Sequence, residues 1–402
     1  MTIGETTIDR PGWQLGESPA SYVIGNVRVV LPGRVTDAAA VVVENGRIVE
    51  VVEGRPLRCD VDGAGCLLTP GFVDTHSDAF EKERTPRPSV HLPLDFALNS
   101  FESRLAGVGV TTVFHGFGFH NNSSQGVVRD PRQSLEMAEF VDAQRRTDPG
   151  RRVDHRVLHR FNVRADEGAA VLRERVETLP PSALPIQLSH EDHTPGQGQY
   201  ADIEHHLDFL VAGGEDRDEA RARIEQRIAE ARATEHIREA NLAWAGDLAR
   251  AGKARLLGHD CDSPAAIDEL VARGGVIAEF PTTLETARRA RECGLLIVAG
   301  APNLLRGGSH SGNVAAVELL REGLIDTISS DYLPSALLGC VARVVRDGLV
   351  TLPEAFALIT SGGAAVAGLD DRGRIEPGLL ADFALIDDRG AWPRVVTTFL
   401  AA

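Results

Sequence analysis

The chain has 402 residues, of which 43% are apolar and 25% charged, and its formal net charge is -16. These proportions exclude a disordered or fibrous chain and leave room for one large domain and a smaller one. An acidic balance this strong excludes nucleic acid and anionic membranes as main partners, because phosphate arrays are held by clustered Lys and Arg; a small polyanion met by a local cation remains compatible.

The opening stretch, "MTIGETTIDRPGWQLGESP", lacks a basic segment followed by an apolar run, and no later segment has the apolar length of a membrane span. The five cysteines are scattered, odd in number and without CxxC spacing. They predict neither a disulfide framework nor a thiolate zinc site, and a cytoplasmic location is expected. Next come short β-rich runs, "SYVIGNVRVVLPG" and residues 37–54, in which Asn45-Gly46 between Val-rich arms signals a hairpin. The same texture returns near the end in "GRIEPGLLADFALIDD" and "RVVTTFL". Residues 1–68 and 366–402 are therefore expected to build one small β-sandwich domain from both chain ends.

Residues 69–365 alternate apolar runs that end in polar residues with helix-compatible segments such as 133–146, 165–178 and 263–273. The eight runs are "LLTPGFVDTHSD", "GVTTVFHGFGFH", "DHRVLHRFNV", "PIQLSHEDH", "KARLLGHDCDS", "GVIAEFPTT", "GLLIVAGAPN" and "IDTISSDYLP". Such alternation predicts an α/β fold, a (β/α)8 TIM-type barrel with its chemistry at the C-terminal ends of the strands. One connection, around 202–251, is long and rich in Ala, Glu and Arg; it reads as an extended helical insertion, either a solvated helix pair or a lid or subunit contact.

Ligand-type residues recur at these strand ends. In an extended run, side chains two apart share a face, so Asp74, His76 and Asp78 are placed on one side. A lone His-x-Asp is equally a hydrogen-bonded core pair, and Asp or Ser at a loop start is equally a helix cap. Recurrence argues for metal: "SHEDH" offers His190, Glu191, Asp192 and His193, "GHDCDS" offers His259, Asp260 and Asp262, "AEFPTT" offers Glu279, and "SSDYLP" offers Asp331. Imidazole with carboxylate suits zinc or manganese, and carboxylate-rich positions suit harder ions such as magnesium. His115 is open to three roles: ligand, proton carrier or satisfied core histidine.

The split β domain around an eight-strand reading, with His76-Ser-Asp78, His259 and Asp331 at strand ends, resembles the amidohydrolase superfamily. More closely, "PGFVDTHSDAFEKERTPRP", "DHTPGQGQY", "EFPTTLETA", "GAPNLLRGGSHSGNVAA" and "SSDYLPSALL" resemble the α-D-ribose 1-methylphosphonate 5-triphosphate diphosphohydrolases of phosphonate metabolism, over roughly residues 22–387. The resemblance implies a hydrolase using one or two divalent ions, with His76, Asp78, Asp192, His193, His259 and Asp331 as ligands and Glu191, Glu279 and His115 as further candidates. It implies catalytic roles for His259 and for Asp331, which would orient or deprotonate the attacking water. A triphosphate substrate fits "LLRGGSHSGN": Arg306 can bond phosphate, Gly307 and Gly308 allow close backbone approach, and Ser309, His310, Ser311 and Asn313 add donors. A tight glycine turn is the structural alternative. Lys82, Arg84 and Arg87 form a second cationic patch or a solvated loop.

The sequence also departs from that family. The third run carries Arg160 and then Asn162 where the family has Glu, and Leu158 where it has His; Glu191 is placed to restore the missing carboxylate. Such changes at strand ends keep a second reaction in view, hydrolysis of a cyclic or acyl amide, and a third reading of a metal-binding homologue without catalysis. A phosphate chain needs several fixed cations, whereas an amide needs one polarised carbonyl. A small anionic substrate and a homo-oligomer, a dimer, are the expected partners.

Overall fold

The computed structural model describes residues 19–54, 58–87, 89–120, 122–124, 127–147, 150–180, 185–309 and 312–401. The eight apolar runs form parallel strands: β1 Phe72–Ser77, β2 Val110–Phe119, β3 Asp154–Asn162, β4 Ile186–Glu191, β5 Ala254–His259, β6 Ile277–Glu279, β7 Leu296–Gly300 and β8 Thr327–Ser329. Each pairs with the next in chain order. The circle closes where Ser77 bridges Asp331; the Asp78 N–H donates to the Asp331 carbonyl at 2.7 Å and the Asp331 N–H to the His76 carbonyl at 3.0 Å.

Strand alternation decides what faces inward. Val73, Phe114, Leu158, Leu257, Ile277 and Val298 fill the barrel's interior with Ala364 and Val366 of the helix Ser361–Ala367. Residues two further on, Arg160, His259 and Glu279, then rise above this apolar plug toward the C-terminal mouth. Outward residues such as Phe72, Phe117, Phe119 and Phe161 pack under the helices. β1 breaks the rule: Val73 and His76 both face inward although three residues apart, and a register slip against β2 between Asp74 and Ser77 supplies the extra residue.

The chain ends form a second sheet. Strand Tyr22–Leu31 pairs with Ala39–Glu44 along its first half and with Leu67–Pro70 along its second, and Phe383–Asp387 and Arg394–Phe399 extend that second half. Ile24, Val41, Leu68, Phe383 and Leu385 share its core. The expected hairpin is present, with Asn45 and Gly46 both at positive φ, 51° and 71°, as a twist-matched two-residue turn requires.

The segment 202–251 is three helices rather than a pair. Ile203–Ala212 and Arg217–Ala233 share a small core of Leu207, Ala220 and Ile224, whereas Leu242 and Ala245 of Glu235–Arg250 belong to the barrel's helical layer. The true insertion is thus the first two. Among the described residues no helix is long and apolar enough to cross a membrane.

A buried ion cluster ties the sheet to the barrel floor. Arg372 donates to Thr112 Oγ1 at 2.9 Å and Asp154 Oδ2 at 3.0 Å, and its Nη1 lies 3.8 Å from Asp382 Oδ2. Asp154 has two further partners, Arg145 and Arg156, but burial already pushes Asp382 up to about 6 despite Arg372. Arg372→Ala should therefore cost about 3 kcal/mol, read as a lowered urea midpoint; an unchanged midpoint would show that the two sheets are held by apolar packing alone.

Candidate active site

Glu279 has no solvent exposure and ends β6 at the barrel axis. Its Oε1 lies 2.8 Å from His76 Nδ1, and its Oε2 lies 2.8 Å from His259 Nδ1 and accepts from Ser189 Oγ at 2.7 Å. Burial disfavours its charge, but the two imidazoles outweigh it and hold the carboxyl well below the usual range. Burial likewise opposes charge on His76, yet Glu279 and Asp78 raise it to about 10. With both Nδ1 atoms fixed, the Nε2 atoms are the ones left for chemistry.

A second ion lattice lies beside the first. Arg160, 4% exposed, donates from Nη1 to Asp78 Oδ2 at 2.6 Å and from Nη2 to Glu191 Oε2 at 2.7 Å. Burial opposes its charge, but Asp78 and Glu191 raise its pKa further above the ordinary arginine value. Glu191 in turn lies 3.3 Å from His120 Nδ1 and 3.8 Å from His193 Nδ1. Asp331, following β8, is pushed up to about 6 by burial and by Asp78. Asp260 and Phe280 directly after their strands, and Asp331 two residues past the end of β8, adopt the left-handed region at φ 54°, 55° and 56°, a conformation that non-glycine residues hold only under constraint.

These residues line a cavity of about 490 Å³, with His76, Asp78, Arg160, His193, His259 and Asp331 among its walls, and Lys82, Arg306, Ser309, Asn313, Gln199 and Phe209 also lining it. The donors fit a divalent cation. His76, Asp78 and Asp331 bring donor atoms within 4.8 Å of one another, as do Glu191, His193 and His259, and His76, His259 and Glu279. Glu191 Oε1 and His193 Nε2 are buried and make no hydrogen bond among the described residues, which leaves them suited to a ligand role.

Several expected residues stand elsewhere. Asp192 is in none of these clusters: Arg164 Nε donates to it at 2.8 Å and Thr194 Oγ1 at 2.6 Å, so it orders the loop after β4. His115 points outward from β2, stacked on Phe117 and packed against the tilted rings of Phe80 and Phe101, with its Nε2 2.9 Å from His155 Nδ1; burial, then His155, pushes its pKa well down, and it is a core histidine. Asp74 turns to the Ser330 N–H at 2.9 Å instead of sharing the face of His76, a consequence of the β1 slip. Glu279 grips two histidines through both oxygens, which makes it a positioner of ligands more than a ligand.

Among the phosphate candidates, Arg306, Ser309 and Asn313 line the cavity, and His310 and Ser311 lie outside the described residues. Gly307 and Gly308 do not offer their N–H groups: both donate to Asn303 O, at 3.0 and 3.2 Å, in the left-handed cap that ends the helix Ala301–Arg306. Of the second patch only Lys82 reaches the cavity, 5.3 Å from the Tyr332 ring centroid; Arg84 turns to Glu136 at 3.3 Å, and Arg87 is exposed. The departures also find a place. Leu158 belongs to the apolar plug, and Asn162 is the strand partner of Glu191, so a carboxylate absent from β3 is present one strand over. Arg160 and His120 enter the site without having been singled out as site residues, and Asp260, one of the strand-end carboxylates, lines the cavity.

The chain is 37% identical over 372 residues to the α-D-ribose 1-methylphosphonate 5-triphosphate diphosphatase of Escherichia coli K12, covering 90% of this chain and 94% of that protein. The chain belongs to the amidohydrolase superfamily. The model of the amidohydrolase family matches residues 311–392. A dihydroorotase of Geobacter metallireducens is 32% identical over 98 residues, 19% of this chain and 23% of that protein. Among solved structures, the 5-methylcytosine deaminase of Klebsiella pneumoniae has a TM-score of 0.60 at 14% identity, covering 94% of this chain and 96% of the deaminase. At that identity the deaminase shows a shared fold; the amidohydrolase chain is an enzyme of the hydrolase class by its full-length relative.

Two outcomes check this geometry. Glu279→Gln should weaken zinc affinity by roughly 10- to 100-fold in chelator competition, because the imidazoles lose their orienting charge. Because His76 is protonated at neutral pH without metal, zinc binding at pH 7 should release about one proton. Calorimetry in two buffers of different ionisation enthalpy reads this directly, and a buffer-independent enthalpy would contradict the charged His76.

Proposed function

We propose that this chain hydrolyses the phosphoanhydride of α-D-ribose 1-methylphosphonate 5-triphosphate and releases diphosphate. The observation that carries the reading is one cavity with His/Asp donors on its walls and the cations Arg160, Lys82 and Arg306 lining it, charges that a phosphate chain needs and an amide does not. The similarity of the full chain to the E. coli diphosphatase supports the same substrate class.

A divalent cation held by His76, Asp78, His193, His259 or Asp331 would supply Lewis-acid polarisation and a lowered pKa for the attacking water. Mixed imidazole and carboxylate donors favour zinc or manganese over magnesium. Asp331 is the proton acceptor: its pKa near 6 leaves it ionised at neutral pH, yet more basic than an ordinary aspartate. Water oxygen attacks the α-phosphorus, the bond to the bridging oxygen breaks, and its electron pair departs with diphosphate. Lys82 and Arg306 are the candidates to hold the leaving diphosphate, since both line the cavity and neither makes an ion pair among the described residues.

Diphosphate release from the ribosyl triphosphate by metal-reconstituted protein tests the proposal. Asp331→Asn should lower kcat roughly 100-fold or more with an unchanged circular dichroism spectrum. Arg306→Ala should raise KM roughly 10-fold while bound metal stays constant. Triphosphate kinetics indifferent to Arg306 would remove it from substrate binding, and absence of any diphosphate release would overturn the substrate assignment.

A further inference from the structure

We propose that Arg160 sets the metal count of this site: its guanidinium stands where a second divalent ion would need its ligands, so the cavity holds one ion. The proposal rests on the cavity being a divalent-cation site, and concerns what this chain's own arginine does there.

Two donor triads flank Arg160. Asp78 belongs with His76 and Asp331, and Glu191 with His193 and His259. Arg160 bonds one oxygen of each carboxylate, Asp78 Oδ2 at 2.6 Å and Glu191 Oε2 at 2.7 Å, and so bridges the two triads. In a two-ion site the place between the ions belongs to a shared anion, whose charge screens one ion from the other. Here the bridging group is a cation that does not deprotonate, so nothing at that place screens two ions from each other, and a second one meets the charge of both the first ion and the guanidinium.

The position of the arginine is built in. A Cβ at Gly116 of β2 would come 2.6 Å from Asp78 Oδ1 and 3.0 Å from Arg160 Cδ, so the neighbouring strand makes room for this pair by lacking a side chain. Asn162, the strand partner of Glu191, contributes no negative charge with which a further ion could be balanced.

The test is the number of ions bound to the full chain after stripping, reconstitution with zinc and removal of excess, read by elemental analysis. The wild type should hold one ion per chain. Arg160→Met, which returns both carboxylates to the cavity, should hold two, and Arg160→Lys, which keeps the charge, should hold one. Two ions in the wild type, or one ion in Arg160→Met, overturns the role given to Arg160. No ion in any variant overturns the cation site itself. Should Arg160→Met fail to fold, electron paramagnetic resonance of the manganese-loaded wild type decides: an isolated-ion spectrum supports the proposal and a spin-coupled pair overturns it.

Discussion

A carboxylate buried without exposure is among the most unfavourable groups a protein can contain, and this barrel is arranged around one. Glu279 persists as an ion because β1, β4 and β5 each send it a donor, His76, Ser189 and His259, so four strands are tied at the axis through one side chain. Isolated, the group would take up a proton and release both imidazoles. Satisfied, it fixes their tautomers and aims their other nitrogens into the cavity. The neighbouring Asp78–Arg160–Glu191 chain follows the same rule, each buried charge existing only because the next is in place.

This polar layer sits directly on an apolar one, and strand periodicity explains the change. Leu158, Leu257 and Ile277 close the barrel, and Arg160, His259 and Glu279 lie one inward position further along the same strands. Just beyond, Asp260, Phe280 and Asp331 take left-handed backbone conformations that an ordinary loop avoids. Backbone strain after three of the eight strands, beside His259 and Glu279 and at Asp331 itself, is the pattern expected where side-chain aim is held against local preference.

Much of this was legible in the sequence because it depends on local period and residue type. The alternation of eight runs with helices and the Asn45-Gly46 turn were read correctly, and His76, Asp78, His259 and Asp331 stand at or just past strand ends and line the cavity. What escaped is what pairing across the barrel decides. Nothing local distinguishes Asp192, tied to Arg164, from Glu191 next to it, bound to Arg160; the choice comes from which side of β4 faces the axis. The slip in β1 broke the simple rule that put Asp74 with His76. Gly307 and Gly308 looked like a phosphate cradle because glycine serves close approach and helix capping alike, and only hydrogen bonding tells them apart. The three-helix division of 202–251 hinged on Leu242 and Ala245, whose burial depends on the barrel they meet.

The bonds that join β8 to β1 run between main-chain atoms of His76, Asp78 and Asp331, whereas the carboxylates and imidazole of the same residues face the cavity. Each of these positions thus carries two independent duties, one written in the backbone and one in the side chain. A change of side chain alters the reaction without unfastening the cylinder. That separation gives the fold an evolvable rim: the main-chain bonds that close the cylinder survive a change of side chain at these positions, even where the buried charges behind them must be rebalanced.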